Sequence, residues 1–359
     1  TLELLDTSTT LDILNGLNVL DEDGLNRGLV RLGEGDNDSA IDLRFLDDPG
    51  NIGQTVTNGE FLFDSTLSSN TSAPQIDFLP VTVGETLTFG SNVWIHGGSG
   101  YIDIGSAAND GNILLQGRLS ADVSGRQITV DIDTGDSFTL AAGDGVNNGL
   151  AEAINGGILR FQGAGDVTNE GAMQSLNGSN LTLGVGLTNV LNDAGATITA
   201  TDSVLAIGGN WDNDGTITAT NSTVQLGGFF SLTDLGTFNR TGGSVELTGQ
   251  MDLEGSTFTL DSVTGGWIMD GGRFSNGTLV IDASDGGSFA VDDGIDGGSA
   301  ATGTLDGVTV HGTLELLDTS TTLDILNGLN VLDEDGLNRG LVRLGEGDND
   351  SAIDLRFLD

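Results

Sequence analysis

Cysteine and lysine are absent from this 359-residue chain, all eleven basic residues are arginine, and proline occurs only three times. Without cysteine no disulfide can staple the fold, so its stability must come from backbone ladders and core packing. Aromatic residues make up only 5% of the chain, too few for the core of an ordinary globular domain of this size. Positive charge is scarce against 53 acids, and the net charge of −42 excludes the basic patches that nucleic acid or an anionic membrane surface requires. No apolar run approaches the ~18 residues of a membrane span. No signal-peptide pattern is present either, so export is not directly legible.

What is present is glycine, 58 residues of it, and short apolar alternation within a chain that is 37% hydrophobic. That is too apolar for a disordered acidic tail. Between residues 181 and 316 apolar pairs at i, i+2 recur: Leu181/Leu183, Leu205/Ile207, Val224/Leu226, Val245/Leu247, Trp267/Met269, Phe289/Val291 and Leu314/Leu316. Their separations of 24, 19, 21, 22, 22 and 25 residues set one period. Each pair is closed by Gly or a polar cluster, the mark of a strand with one buried face.

A second column keeps step, formed by Ile198, Ile217, Phe238, Phe258, Leu279 and Leu305. Each follows a threonine, namely Thr197, Thr216, Thr237, Thr257, Thr278 and Thr304. A hairpin meander has no reason to hold two columns in phase, whereas a coil does. The expected fold is therefore all-β, a right-handed parallel β-helix (β-solenoid) with about 20–22 residues per coil and essentially no helix. A third short strand would close each coil, and the Thr column would form an outward ladder. Further strands are expected at Val81–Val83, Val93–Ile95, Ile102–Ile104, Ile128–Ile132 and Ile158–Phe161. Pro49, Pro74 and Pro80 mark 49–80 as the least regular, loop-containing stretch, because proline cannot donate to a ladder.

Residues 313–359 repeat residues 1–47 at every position, an offset of 312. Two readings stand: 312-residue units follow one another in a longer polypeptide, or one segment has been copied to both ends. The first is favoured, and it makes residues 1–359 a single continuous solenoid, one unit (1–312) plus the start of the next. No polar capping element shields either edge, as a free-standing solenoid would need.

The segments DNDGTITATNSTVQLGG (212–228), LGTFNRTGGSVELTG (235–249) and GTLDGVTVHGTLELLD (303–318) resemble the giant β-strand repeat surface proteins of bacteria. Those are similar in logic to filamentous-haemagglutinin-type adhesins. The resemblance covers about a third of the chain and implies secretion, a β-helical shaft and a surface or matrix role. It implies nothing about a catalytic site.

A search for chemistry returns little, and no enzyme is expected. A β-helix lyase would use Arg or Lys as base beside acids, but the arginines are spread along the chain. Asp292-Asp293 is the only adjacent Asp pair in the regular coils and reads as a turn. His96 and His311 have no Cys, His or acidic neighbour at ligand spacing in the sequence. Gly97-Gly98 lacks the helix that phosphate binding needs. No cofactor is required. Calcium is the one inorganic partner the corners suggest, through Asp193, Asp212, Asp214, Asp234 and Glu254, with acidic loops at Asp21–Asp23 and Glu34–Asp38. Asn and Asp favour such turns for backbone reasons too. The remaining expected partner is the chain itself, by head-to-tail continuation and by lateral bundling through divalent cations. A 312-residue unit carries 42 acids and eight arginines, a net −34, and so must hold counterions. The expected function is an extracellular structural filament or fibre shaft, at the cell surface or in a biofilm matrix. The alternatives are the stalk of a large secreted adhesin and, more distantly, a glycan-active β-helix enzyme.

Overall fold

The computed structural model describes residues 1–34, 40–46, 53–66, 73–105, 109–142, 149–292, 302–316, 320–345 and 352–358. They divide into two compact units, Thr1–Leu205 with Asp214–Thr216, and Ala206–Asn213 with Ile217–Asp359. The fold is nearly all-β, built of long parallel ladders in the manner of a β-solenoid. Among the described residues the helical content is one 3-10 turn, Ala283–Asp285.

In the N-terminal unit each coil has three short legs. Ser137–Leu140, Leu150–Ala153 and Ile158–Gly163 form one coil; Asp166–Asn169, Ala172–Leu176 and Asn180–Val185 form the next. Each leg pairs in parallel with its counterpart: Phe138 with Val167, Ala151 with Met173, Leu159 with Leu181. All six of these side chains are buried. The two-residue period of a strand explains why, since alternate side chains point inward and a pair at i, i+2 fills one leg's share of the core. Full burial of each such aliphatic side chain contributes ~1.5–3 kcal/mol.

The corner between first and second legs is shallow, and several strands run straight through it. Gln54–Phe63 and Glu85–Gly97 do so in the N-terminal unit. Arg273–Ile281, Thr302–His311 and Thr322–Leu332 do so in the C-terminal unit. Other corners turn sharply. At Gly228 the backbone is left-handed (φ 66°), and a Cβ there would overlap the Gly209 carbonyl oxygen, so only glycine lets the two coils approach.

The C-terminal unit keeps the short period read from the sequence. Val224 pairs with Val245, Val245 with Trp267 and Trp267 with Phe289, steps of 21, 22 and 22 residues. Coils of the N-terminal unit are longer. Along its third leg Leu11, Leu43, Ile76, Ile102, Val130, Phe161 and Leu183 pair in turn, with steps of 32, 33, 26, 28, 31 and 22. The surplus residues lie between legs, so the ladder registers survive while the sequence period blurs.

One expectation needs correction. Val81–Val83 is an exposed turn, and the strand begins at Glu85. The stretch 49–80 holds two ladder strands, Gln54–Phe63 and Gln75–Leu79, while 49–52 and 67–72 lie outside the described residues. Pro74 and Pro80 flank Gln75–Leu79, where a missing N–H costs no ladder bond.

The duplicated segment is paired the same way in both units, on different legs. In the N-terminal unit Leu2–Leu4 pairs with Val30–Leu32 on a second leg, and Thr10–Leu14 with Asp42–Leu46 on a third. In the C-terminal unit Thr313–Leu316 pairs with Leu341–Leu344 on a third leg, and Thr322–Ile325 with Asp354–Phe357 on a first. Partner choice therefore follows the sequence, while the leg does not.

Candidate functional site

The densest side-chain cluster lies on the outer face of the second leg in the N-terminal unit. Glu60, Trp94 and Arg118 occupy one register position on three successive strands; Leu62, His96, Ser120, Glu152 and Gln174 occupy the position two residues on. His96 is nine-tenths buried, with Nδ1 3.1 Å from Asp122 Oδ2 and Nε2 3.2 Å from Glu60 Oε1. Its ring stacks on Trp94 at 3.7 Å between centroids. The guanidinium groups of Arg118 and Arg27 lie 5.3 and 5.7 Å from the Trp94 ring centre, within cation–π range. Arg118 Nε donates to Glu152 Oε1 at 2.6 Å, Ser120 Oγ to the same oxygen at 2.7 Å, and Gln174 Nε2 to Oε2 at 2.6 Å. Glu152 is thus a fully buried carboxylate satisfied from the two strands on either side of its own.

Beside it opens a cleft of about 360 Å³, lined by Asp64, His96, Gly98, Asp122 and Arg126 among others. Asp64 accepts from Arg31 Nε at 2.9 Å. Both ring nitrogens of His96 face carboxylates, and the Trp94 ring is stacked by His96 and approached by arginines. The cluster consequently offers neither an unengaged base nor an open aromatic platform. The sequence reading missed its acids because Glu60 lies 36 residues before His96 and Asp122 lies 26 after it. Each separation is one coil step, of 34 or 24 residues, plus two, and only the register reveals it.

A second gathering occupies the outer face of the third leg in the same unit. Asp12, Arg44, Asp77, Asp103, Asp131 and Gln162 fall at one register position on six successive strands. Arg44 turns to Asp12, its Nε donating at 2.7 Å. At the far end Asp131 accepts from Gln162 Nε2 at 3.0 Å and from the Tyr101 hydroxyl. Between them Asp77 is only 8% exposed, and its buried Oδ1 has no hydrogen-bond partner. Burial, with Asp42 and Asp103 nearby, pushes the Asp77 carboxyl up to about 7. Burial also raises Asp103 to about 6, with Asp131 and Asp133 adding repulsion. Asp136, close by, accepts from the Gly111 amide at 2.5 Å, yet burial raises it to about 6.

The corner acids considered for calcium are engaged with their own turn or that of a neighbouring coil, or are exposed. Asp193 Oδ1 accepts from the Ala194 amide at 2.7 Å, and Asp234 Oδ2 from the Ser231 amide at 2.7 Å. Glu254 accepts from Thr233 Oγ1 at 2.6 Å, while Asp212 and Asp214 are exposed. Asp21 caps its own loop, taking the Leu25 and Asn26 amides and the Asn26 side chain, and Asp333 does the same in the second copy. Of the other acidic loop, 35–39 lies outside the described residues, as does Asp293. Among the described residues no three His, Cys, Asp or Glu side chains are grouped to hold a metal ion.

Of the core column, Ile198, Ile217, Phe258, Leu279 and Leu305 are buried and Phe238 is half-buried. Thr197, Thr237 and Thr257 are exposed, and Thr216, Thr278 and Thr304 are half-buried. Thr257 and Phe258 pair with Thr278 and Leu279, which pair onward with Thr309 and Val310. Thr304 and Leu305 belong instead to the first leg, opposite Arg273 and Phe274. Both Thr304-Leu305 and Thr309-Val310 have the Thr-apolar form, so spacing alone selected the wrong one.

No family model, curated protein or solved structure matches this chain. Among the described residues no helix is long and apolar enough to cross a membrane.

Proposed function

We propose that this chain is a structural segment of an extracellular fibre, a non-catalytic shaft at the cell surface or in a matrix. The observation carrying this reading is the duplicated segment. One 47-residue sequence enters a parallel ladder twice and makes the same strand pairings each time, on different legs. A ladder that accepts its own sequence as the next building block is suited to indefinite extension. The acidic surface, −42 over the chain, keeps such shafts soluble and apart until counterions intervene. An adhesin stalk needs the same shaft and differs only in what the rest of the polypeptide carries. In the His96 cleft, one candidate for a glycan-active enzyme, the ring nitrogens already face Glu60 and Asp122.

Immunogold labelling of intact source cells with antibody to this chain tests the proposal. Label along thin extracellular fibres is the expected result. Label confined to the cell interior would overturn it.

A further inference from the structure

We propose that the stacked carboxyls of Asp77 and Asp103 form a proton-loaded lock, which tightens the middle coils of the N-terminal unit as the surroundings become mildly acidic. The row Asp12–Arg44–Asp77–Asp103–Asp131–Gln162 has both ends satisfied, while in its middle Asp103 is met only by the Ile104 amide and Asp77 Oδ1 has no partner. Arg44, the row's one cation, is held by Asp12 at 2.7 Å, and Asp131 is held by Tyr101 and Gln162. Asp77 and Asp103 are left on adjacent parallel strands, in direct register. Neighbouring strands lie ~4.8 Å apart, so two ionised carboxylates there repel, and Asp77, 8% exposed, has little water to screen it while Asp103 is half-buried.

A proton resolves the conflict. A protonated carboxyl is a donor, and its O–H can be given to the carboxylate stacked above or below. One proton thereby removes a charge and supplies the hydrogen bond that Asp77 Oδ1 lacks. The geometry selects a proton over a metal ion. A bound metal ion needs several oxygens around one point, and among the described residues no three metal-ligating side chains are grouped.

The groups facing the pair are Asp42 and Arg44 from Asp42–Leu46, Tyr101 on the strand of Asp103 itself, and Asp131, Asp133 and Asp136 beyond. Arg160 occupies the adjacent row, Gln75–Tyr101–Thr129–Arg160, and the structure gives it no ion pair with Asp77 or Asp103. Acid thus predominates around the pair. The raised carboxyls, Asp77 to about 7 and Asp103 to about 6, agree with the geometry. A carboxyl raised on folding adds stability as pH falls through its folded value, and that gain is complete near the unfolded value of ~3.9. The window is therefore about pH 8 to 4.

The test is hydrogen exchange of Gln75–Leu79 and Gly100–Ile104 in the full chain, each rate corrected for intrinsic pH dependence, from pH 8 to pH 5. Protection should rise by roughly a hundredfold or more on acidification in the parent chain. It should stay flat in Asp77→Asn/Asp103→Asn, whose amides mimic the loaded state. Carboxyl carbon shifts of the parent chain provide a reading that needs no variant, and the carboxyls of Asp77 and Asp103 should both titrate above pH 5.5. Protection that falls between pH 8 and 5, or carboxyls all titrating near 4, would overturn the proposal. So would calcium at pH 8 reproducing the effect of acid, since the row would then be a cation site.

Discussion

Phe45 and Phe357 are the same residue of the duplicated segment, and they should respond very unequally to the same substitution. Phe45 sits on Asp42–Leu46 between Ile13 and Phe78, fully buried at 0% exposure, with its ring 6.0 Å from Phe89 in an edge-on pair. Phe357 sits on Asp354–Phe357 opposite Ile325, and it is 67% exposed. Phe45→Ala removes a ring closed in by strands on both sides, which costs ~3–5 kcal/mol through lost burial and the cavity left behind. Phe357→Ala forfeits only the third of the ring already sheltered, about 1 kcal/mol by the same scale. Each loss should stay local, because coils contact only their neighbours. Hydrogen exchange resolved by segment, with urea unfolding for the global value, is the measurement. Amides of Leu43–Leu46 should lose protection by two or more orders of magnitude in Phe45→Ala. Phe357→Ala should leave Thr322–Ile325 within tenfold of the parent. Equal losses at the two positions would refute the reasoning, because they would mean the exposed strand is packed in solution.

Further outcomes follow from the same geometry. Gly228→Ala should destabilise the C-terminal unit by well over the ~1–2 kcal/mol of a left-handed Cβ alone, since its Cβ meets the Gly209 carbonyl. Gly178→Ala, at φ 75° with open space around it, should cost only that amount in urea unfolding. Glu152→Ala strips the acceptor shared by Arg118, Ser120 and Gln174 and should cost about 2–4 kcal/mol, with Glu152→Gln recovering part of it. With a net charge of −42, light scattering should rise through a calcium titration and stay level in matched sodium chloride. A flat calcium curve would remove divalent bundling as a property of the shaft.

The fold class was legible because a leg needs so little sequence. Two inward apolar residues and a turn signal define one, and from Leu181 to Leu316 those legs arrive at a nearly constant period. The longer coils before Leu181 were harder to read, because residues inserted between legs change the period without touching any register. The same cause hid the His96 cluster, whose acids stand one coil away on either side and share no local motif with it. Asp77 and Asp103 were hidden more deeply. Outward-pointing aspartates on alternating strands look solvated, and only in-register stacking with poor access to water makes them otherwise. Thr304-Leu305 was misplaced because two Thr-apolar pairs lie five residues apart on a strand that passes through a shallow corner.

That one sequence sits on second and third legs in one unit, and on third and first legs in the other, says where the folding code resides. Strand pairing is read within the segment: Leu2 faces Val30 and Leu314 faces Val342, at the same separation, whichever leg they occupy. The corner residues carry no leg identity either. Asn15-Gly16 and Asn327-Gly328 are the same dipeptide, both left-handed, with φ values of 71° and 84° in one copy and 53° and 87° in the other. In the N-terminal unit that dipeptide separates a third leg from the next first leg; in the C-terminal unit it is the shallow corner inside Thr322–Leu332. A left-handed pair thus sets a bend, and the neighbouring ladder decides how sharply the strand breaks there. The repeating element is therefore the leg and its turn. A 312-residue duplication consequently need not contain a whole number of coils to remain foldable, which relaxes the constraint on how such a polypeptide can lengthen.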